Sequence, residues 1–253
     1  MAESPLLLGI SGPSSSGKTT LSRLLRDIFP LHQLTILHLD DFYHTDADIP
    51  VKGGIQDWDC IESLNLPQLQ STLAYIKEHA ESPPEFVSKE DQNSVGEHGV
   101  DGHVVQRLKE GVRALVEERR WRKKIVIVDG FLLFSEGMKD IREAFDVRLF
   151  LRTSYKTAKG RREARSGYVT LEGFWEDPPG YVDKIVWPNY VEDHKFLFEK
   201  GDVEGKLDED VCRAIGLVGM PKEAEENMTK CLEWAVAVLE DVIGKSPGKA
   251  GSR

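Results

Sequence analysis

The eight residues Gly12-Pro13-Ser14-Ser15-Ser16-Gly17-Lys18-Thr19 fit the pattern GxxxxGK[ST], and with their flanks they constrain the fold more than any other feature. Residues 6–11 before them are a short apolar run. After them Leu21, Leu24, Leu25 and Ile28 recur at helical spacing up to Pro30. A buried strand, a glycine loop and a helix in that order make a phosphate cradle. The glycines let backbone N–H groups turn inward, the helix N-terminus adds its positive end, Lys18 reaches the β and γ phosphates, and the Thr19 hydroxyl can ligate Mg²⁺. The pattern alone also arises by chance in a glycine-serine turn; the two flanks favour a nucleoside triphosphate site. Gly12, Ser14, Ser15, Ser16, Gly17, Lys18, Thr19 and Thr20 are therefore the expected ATP contacts.

Two further apolar runs end in acids. Residues 35–39 lead into Asp40-Asp41, and residues 125–128 into Asp129-Gly130, as buried parallel strands do when their carboxyl ends carry a site. A fourth run, 147–151, leads into a basic stretch, and 195–199 is a weaker fifth candidate. Helical spacing at 66–79 and 104–121 separates the strands, and a final amphipathic stretch at 224–243 closes the chain. The pattern predicts an α/β fold: a parallel, five-stranded sheet flanked by helices, with a helical lid. Residues 1–244 read as one domain, interrupted at 81–103 by a polar surface insertion rich in Pro, Gly, Ser, Asp and Glu. Residues 245–253 read as a flexible tail.

Composition excludes several other classes. With 33 basic against 43 acidic residues the net charge is −10, which argues against a nucleic-acid surface. Nowhere do 18 consecutive residues stay apolar, and residues 1–5 lack the basic start of a secretory signal. The expectation is a protein of the cytoplasm or nucleus with no membrane partner. Cys60, Cys212 and Cys231 are widely spaced with no CxxC pair, so neither a disulfide framework nor a zinc site is suggested. Asn227-Met228-Thr229 fits a glycosylation acceptor and is read as coincidence.

Among phosphate-loop proteins, a GTPase needs an N/T-K-x-D segment after a hydrophobic strand, and none is present; Asp202-Val203-Glu204-Gly205 fits DxxG but lies far too late. One domain of this length suits a small-molecule kinase better than a motor ATPase. One of Asp40 and Asp41, after the second strand, is the candidate to accept a proton from an attacking hydroxyl and to hold the metal's water shell, with Thr19 and Asp129 as the other candidates around the metal. The plainer alternative is that it caps the next segment. Lys159, Arg161, Arg162 and Arg165 cluster on one predicted helix. Such clusters are normally solvated faces, but arginines delivered by a lid can neutralise a transferring phosphoryl group. A lid over 152–181 follows, with Pro178-Pro179-Gly180 as its rigid turn.

At this point the residues resemble a family. Residues 9–20, Leu39-Asp40-Asp41-Phe42-Tyr43, Gln56-Asp57-Trp58-Asp59 followed by Glu62-Ser63-Leu64-Asn65, Asp129-Gly130-Phe131-Leu132-Leu133-Phe134, Arg161-Arg162, Pro179-Gly180-Tyr181 and Val186-Trp187-Pro188 are together similar to the nicotinamide riboside kinases, relatives of the uridine kinases. The resemblance implies ATP- and Mg²⁺-dependent phosphorylation of the 5′-hydroxyl of nicotinamide riboside, with nicotinic acid riboside as a second substrate, in NAD salvage. By the same resemblance Asp40 activates the hydroxyl, Asp59 accepts the ribose hydroxyls, Arg162 is its lid-side partner, and Trp58 lies against the base. Lys18, Arg161 and Arg165 hold the donor phosphates.

The Trp58 assignment also makes independent physical sense, because an indole face is the best natural surface for a pyridinium cation; core packing is its plain alternative. A second aromatic closing over the base is expected at Tyr168, with Trp175 next. The chain departs from the pattern in three ways: Asp129 stands where glutamate is usual, the 81–103 insertion has no counterpart in compact members, and the lid is longer between Arg165 and Pro179. The rival readings are a uridine, cytidine or pantothenate kinase, and a non-catalytic nucleotide-binding regulatory protein. A monomer or weak homo-oligomer is expected.

Overall fold

Strands buried on both faces alternate their side chains between two cores, and the first strand shows this directly. In a computed structural model, which describes residues 3–30, 33–88, 97–165, 167–170 and 173–245, β1 (Leu6–Ser11) is buried throughout. It sends Leu6, Leu8 and Ile10 to one core and Leu7 to the other. β5 (Ile125–Gly130) does the same with Ile125 and Ile127 against Val126 and Val128. Among the described residues, β2 (Leu34–His38), β5, β1, β6 (Val147–Phe150) and β9 (Leu217–Gly219) form a five-stranded sheet in that order, every pairing parallel.

The fifth strand is not the one the apolar runs indicate. Residues Lys195–Leu197 form a 3₁₀ turn, and Phe198 makes only an isolated bridge to Leu207. The edge place beside β6 is taken by β9, three residues long. A run of apolar residues marks burial, not pairing, and the aromatic side chain of Phe198 is buried against Phe150 (ring centroids 6.1 Å apart) without joining the ladder.

One face of the sheet is covered by α1 (Lys18–Ile28), α3 (Gly102–Glu118) and α8 (Met228–Lys245). The other carries α2 (Leu66–His79), the short α4 (Lys139–Arg142), α6 (Trp187–His194) and α7 (Glu209–Ala214). Helix boundaries follow local chemistry. Asn65 caps α2 by accepting from Gln68 N–H, with Pro67 in the first turn. α8 starts at Met228, later than its apolar spacing suggests, because Asn227 accepts from Lys230 N–H at 3.0 Å and starts the helix there. The apparent glycosylation acceptor is therefore a helix cap. Cys212 and Cys231 are buried thiols and Cys60 is half-buried.

Two small hairpins lie outside the sheet. β3 (Val51–Lys52) and β4 (Ile55–Gln56) turn on Gly53 and Gly54, both at positive φ. β7 (Tyr168–Val169) pairs with β8 (Phe174–Trp175) downstream of α5 (Tyr155–Glu163), so the 152–181 stretch is a helix followed by a hairpin. Of the 81–103 stretch, residues 89–96 lie outside the described residues, as do 246–253 of the tail. The described ends of the stretch are anchored: Phe86 stacks on Phe42 with centroids 5.6 Å apart, Ser88 donates to Asp41 at 2.8 Å, and Val100 is buried. No helix among the described residues is long and apolar enough to cross a membrane.

α8 closes its face through Leu232, Ala235, Val236, Leu239 and Ile243, all buried. Leu239→Ala should therefore cost about 2–5 kcal/mol, read as a lower urea midpoint at unchanged slope. A midpoint equal to the parent's would mean that α8 is not part of this core.

Candidate functional site

The loop between β1 and α1 is built so that only glycine fits at its two ends. At Gly12 φ is +148° and a Cβ would lie 2.4 Å from the Leu151 carbonyl oxygen; at Gly17 φ is +95° and a Cβ would lie 2.6 Å from the Met228 methyl carbon. No side chain caps α1, so its positive end faces the loop. The hydroxyls of Ser15 and Ser16 are buried with no hydrogen-bond partner among the described residues. Unpartnered buried donors around a helix N-terminus fit an anion such as a polyphosphate.

Lys18 reaches back across this loop, donating to the carbonyls of Gly12 (3.0 Å) and Pro13 (2.9 Å). Burial lowers its pKa to about 8, against the opposing pull of Asp40 and Asp129. Those two acids reach it from neighbouring strands. Asp129 ends β5, and Asp40 sits in the 3₁₀ turn Leu39–Phe42 directly after β2. The turn can press onto β5 because residue 130 is glycine: a Cβ there would lie 2.5 Å from that of Leu39. One oxygen of Asp129 contacts His38 Nδ1 at 2.9 Å; the other is buried with no hydrogen-bond partner among the described residues.

The 57–59 segment, which forms another wall of the cavity, is pinned from behind. Asn189 of α6 donates to both oxygens of Asp57, at 2.9 Å each, and to the Asp59 carbonyl at 3.1 Å. The Tyr181 hydroxyl accepts from Trp58 N–H at 3.0 Å. The PGY and VWPN segments thus lock the DWD segment in place. Trp58 is only 4 % exposed, meets the edge of Tyr43 at 5.2 Å and lies 5.6 Å from Trp175. Burial, reinforced by the charge of Asp40, raises the Tyr43 pKa well above the usual range, so the ring stays neutral.

Arg162 joins the three parts. Its guanidinium meets Asp59 in a two-pronged pair at 2.8 and 2.9 Å, Asp177 at 2.6 and 3.1 Å, and the Ser14 hydroxyl at 2.9 Å. All five N–H groups are used. Tyr168 lies under both Arg162 and Arg165, each guanidinium 5.1 Å from the ring centre. Because Tyr168 is the register partner of Trp175, the two aromatic side chains share one face of the hairpin.

Of the residues singled out from sequence, Ser14, Ser15, Gly17, Lys18, Thr19, Thr20, Asp40, Trp58, Asp59, Asp129, Arg162, Arg165, Tyr168 and Trp175 all line one cavity of about 880 Å³, its open mouth included. Ser16 and Arg161 face an adjoining groove on the outer side of the loop, where Arg161 donates to the Ser15 carbonyl at 3.3 Å. Gly12 forms the bend behind. Sequence reasoning missed Asp177, whose only signal is its place one residue before Pro178. It also missed Arg152 and His98 in the groove, which no spacing pattern marks, and gave Asn227 and Met228 no place there.

No family model matches the chain. Among curated proteins it is 45 % identical over 208 residues to a nicotinamide riboside kinase of Schizosaccharomyces pombe, covering 82 % of this chain and 86 % of that one. It is 36 % identical over 204 residues to one from Eremothecium gossypii, covering 80 % and 81 %. It is also 36 % identical over 206 residues to one from Saccharomyces cerevisiae, covering 80 % and 83 %.

With its pKa near 8, Lys18 loses its proton as pH rises through that value, whereas a bound polyphosphate favours the charged form. ATP binding at pH ~8.5 should therefore take up to about one proton from the buffer, and almost none at pH ~6.5. Titration calorimetry in two buffers of different ionisation enthalpy measures this directly. No uptake at the higher pH would show that Lys18 is already fully charged in the free protein.

Proposed function

The chain belongs to the nicotinamide riboside kinase family, and from that premise we propose how its cavity performs the reaction. The protein is a kinase that phosphorylates the alcohol group of nicotinamide riboside with ATP as donor. The observation that carries the reading is that one cavity joins the phosphate loop at Lys18 and Thr19, the acid Asp40, and the indole wall of Trp58. Finer details follow as proposals: the 5′-hydroxyl is the acceptor, nicotinic acid riboside is a second substrate, and the product feeds NAD salvage in the cytoplasm or nucleus.

In this reading the loop amides, Lys18 and Thr20 hold the ATP phosphates, with Arg161 and Arg165 closing from 152–181. The residues present also fit a magnesium ion. Thr19 offers a hydroxyl, and Asp129 offers a buried oxygen with no hydrogen-bond partner among the described residues, where a hard cation with its waters would sit. Bound with ATP, such an ion neutralises charge on the phosphate oxygens.

Asp40 orients the 5′-hydroxyl and takes its proton as the oxygen–γ-phosphorus bond forms and the bond to the bridging oxygen breaks, releasing ADP. Asp59 accepts from the ribose hydroxyls on the lone pairs that Arg162 leaves open. Arg162 holds the lid segment, the acceptor turn and the loop in one arrangement, and it reaches the transferring phosphoryl only by trading one of its five bonds. Trp58 faces the pyridinium, with Trp175 and Tyr168 closing from the hairpin.

An ADP-release assay with ATP and Mg²⁺ tests the acceptor. Nicotinamide riboside should turn over and uridine and cytidine should not; turnover of the pyrimidine ribosides alone would refute the acceptor assignment. Asp40→Ala should lower kcat by about 10²–10⁴ with ATP affinity kept, and near-normal turnover would remove Asp40 from its role. Trp58→Leu should raise KM for nicotinamide riboside roughly 5- to 30-fold, the worth of a desolvated cation–π contact, with little change for ATP.

A further inference from the structure

Beside the phosphate loop, two buried polar side chains meet across adjacent strands. His38 is the last residue of β2, Asp129 is its register partner on β5, and the pair is 1 % and 4 % exposed. His38 Nδ1 lies 2.9 Å from Asp129 Oδ1. Against a carboxylate, that nitrogen must carry the hydrogen. We propose that His38 is a positioning residue for catalysis, fixing the plane of the Asp129 carboxylate so that its second oxygen points at the metal–nucleotide.

The terminal torsion of an aspartate is broad, so a carboxylate held by its backbone alone could turn its oxygens over a wide arc. The histidine contact holds Oδ1 and thereby aims Oδ2, which is buried and has no hydrogen-bond partner among the described residues. Asp129 lines the same cavity as Lys18, Thr19 and Asp40. A magnesium ion demands near-ideal octahedral geometry of its shell, so a carboxylate that is to hold the ion or its waters must be oriented and not merely present. Partners of this kind behind a metal-binding side chain matter nearly as much as the side chain itself. His38 is also two residues from Asp40 along the same chain exit, so the contact ties both acids to one frame.

The inference rests on the reading of Asp129 as the metal-facing acid, and the test separates the two. The affinity of ADP is measured by calorimetry with and without Mg²⁺, beside kcat, in His38→Leu, His38→Asn, Asp129→Asn and the double variant His38→Leu/Asp129→Asn. His38→Leu should lower the Mg²⁺-dependent gain in ADP affinity, and kcat, by roughly 10- to 100-fold while leaving metal-free ADP binding unchanged. His38→Asn, whose amide can still donate to Asp129, should restore most of both. In the double variant His38→Leu should add no further loss to that of Asp129→Asn. Should the leucine variant not fold, His38→Ala against His38→Asn provides the same contrast. A His38→Leu protein that keeps the full magnesium gain, or losses that multiply in the double variant, would overturn the proposal. If Asp129→Asn itself keeps the gain, the reading of Asp129 as the metal-facing acid fails, and the role of His38 fails with it.

Discussion

The arrangement of the site depends on β5 being hydrogen-bonded on both sides, to β1 and to β2. Ser11 pairs with Gly130 and His38 with Asp129, so three chain exits leave one edge of the sheet at the same height: the phosphate loop, the Asp40 turn and the segment after Asp129. In a parallel sheet this edge is where ligands bind. A slip of one residue in β5 would send Asp129 to the opposite face and separate it from Lys18. The absence of a side chain at Gly130 lets Leu39 press against β5, and this contact brings Asp40 to the loop. Backbone register and one missing methyl therefore precede any catalytic side chain in the causal order.

Once the edge is set, buried charge decides how the remaining segments sit. An isolated buried guanidinium is expensive, and removing one partner of a buried pair costs far more than a surface pair contributes. Arg162 is 7 % exposed, so it is tolerated only because Asp59, Asp177 and Ser14 take up all its hydrogens. The 152–181 segment is thereby held to the 57–59 segment by hydrogen-bonded charge as well as by the aromatic contact of Trp175 with Trp58. The same bookkeeping bears on the acceptor: Arg162 uses two of roughly four lone-pair positions on the Asp59 carboxylate, and two adjacent hydroxyls can occupy the rest.

What was legible from sequence had short range. The loop between β1 and α1, the acids after β2 and β5 and the DWD segment all show in consecutive residues, because each job is done by backbone and side chains within one turn of chain. The fifth strand was not legible, since three residues at an edge, Leu217–Gly219, carry no periodicity, while the buried 195–198 stretch copies a strand's composition without its pairing. Asp177 and His38 were missed for a different reason. Asp177 gains its place against Arg162, 15 residues away, and His38 against Asp129, 91 residues away, so neither stands out until the fold supplies its partner. The 81–103 stretch shows the same effect: its polar composition reads as free surface, yet Phe86 and Ser88 pack against the turn that carries Asp40.

The hairpin of β7 and β8 lines the cavity from its arginines to Trp58. Tyr168 and Trp175 face the same way, one over the arginines of the phosphate side and one against Trp58 on the base side. The indole rings of Trp58 and Trp175 are 5.6 Å apart and tilted by 45°, whereas an aromatic ring sandwiched between them needs roughly 7 Å, twice a carbon–carbon contact distance. On the proposed reading of Trp58 as the wall against the pyridinium, a base sandwiched between the two indoles would require Trp175 to move outward. Trp175 donates to Asp177 at 2.9 Å and Asp177 binds Arg162, so such a movement would act on a side chain bonded to the guanidinium. On that reading, occupancy beside Trp58 and the placement of Arg162 would be linked through Asp177.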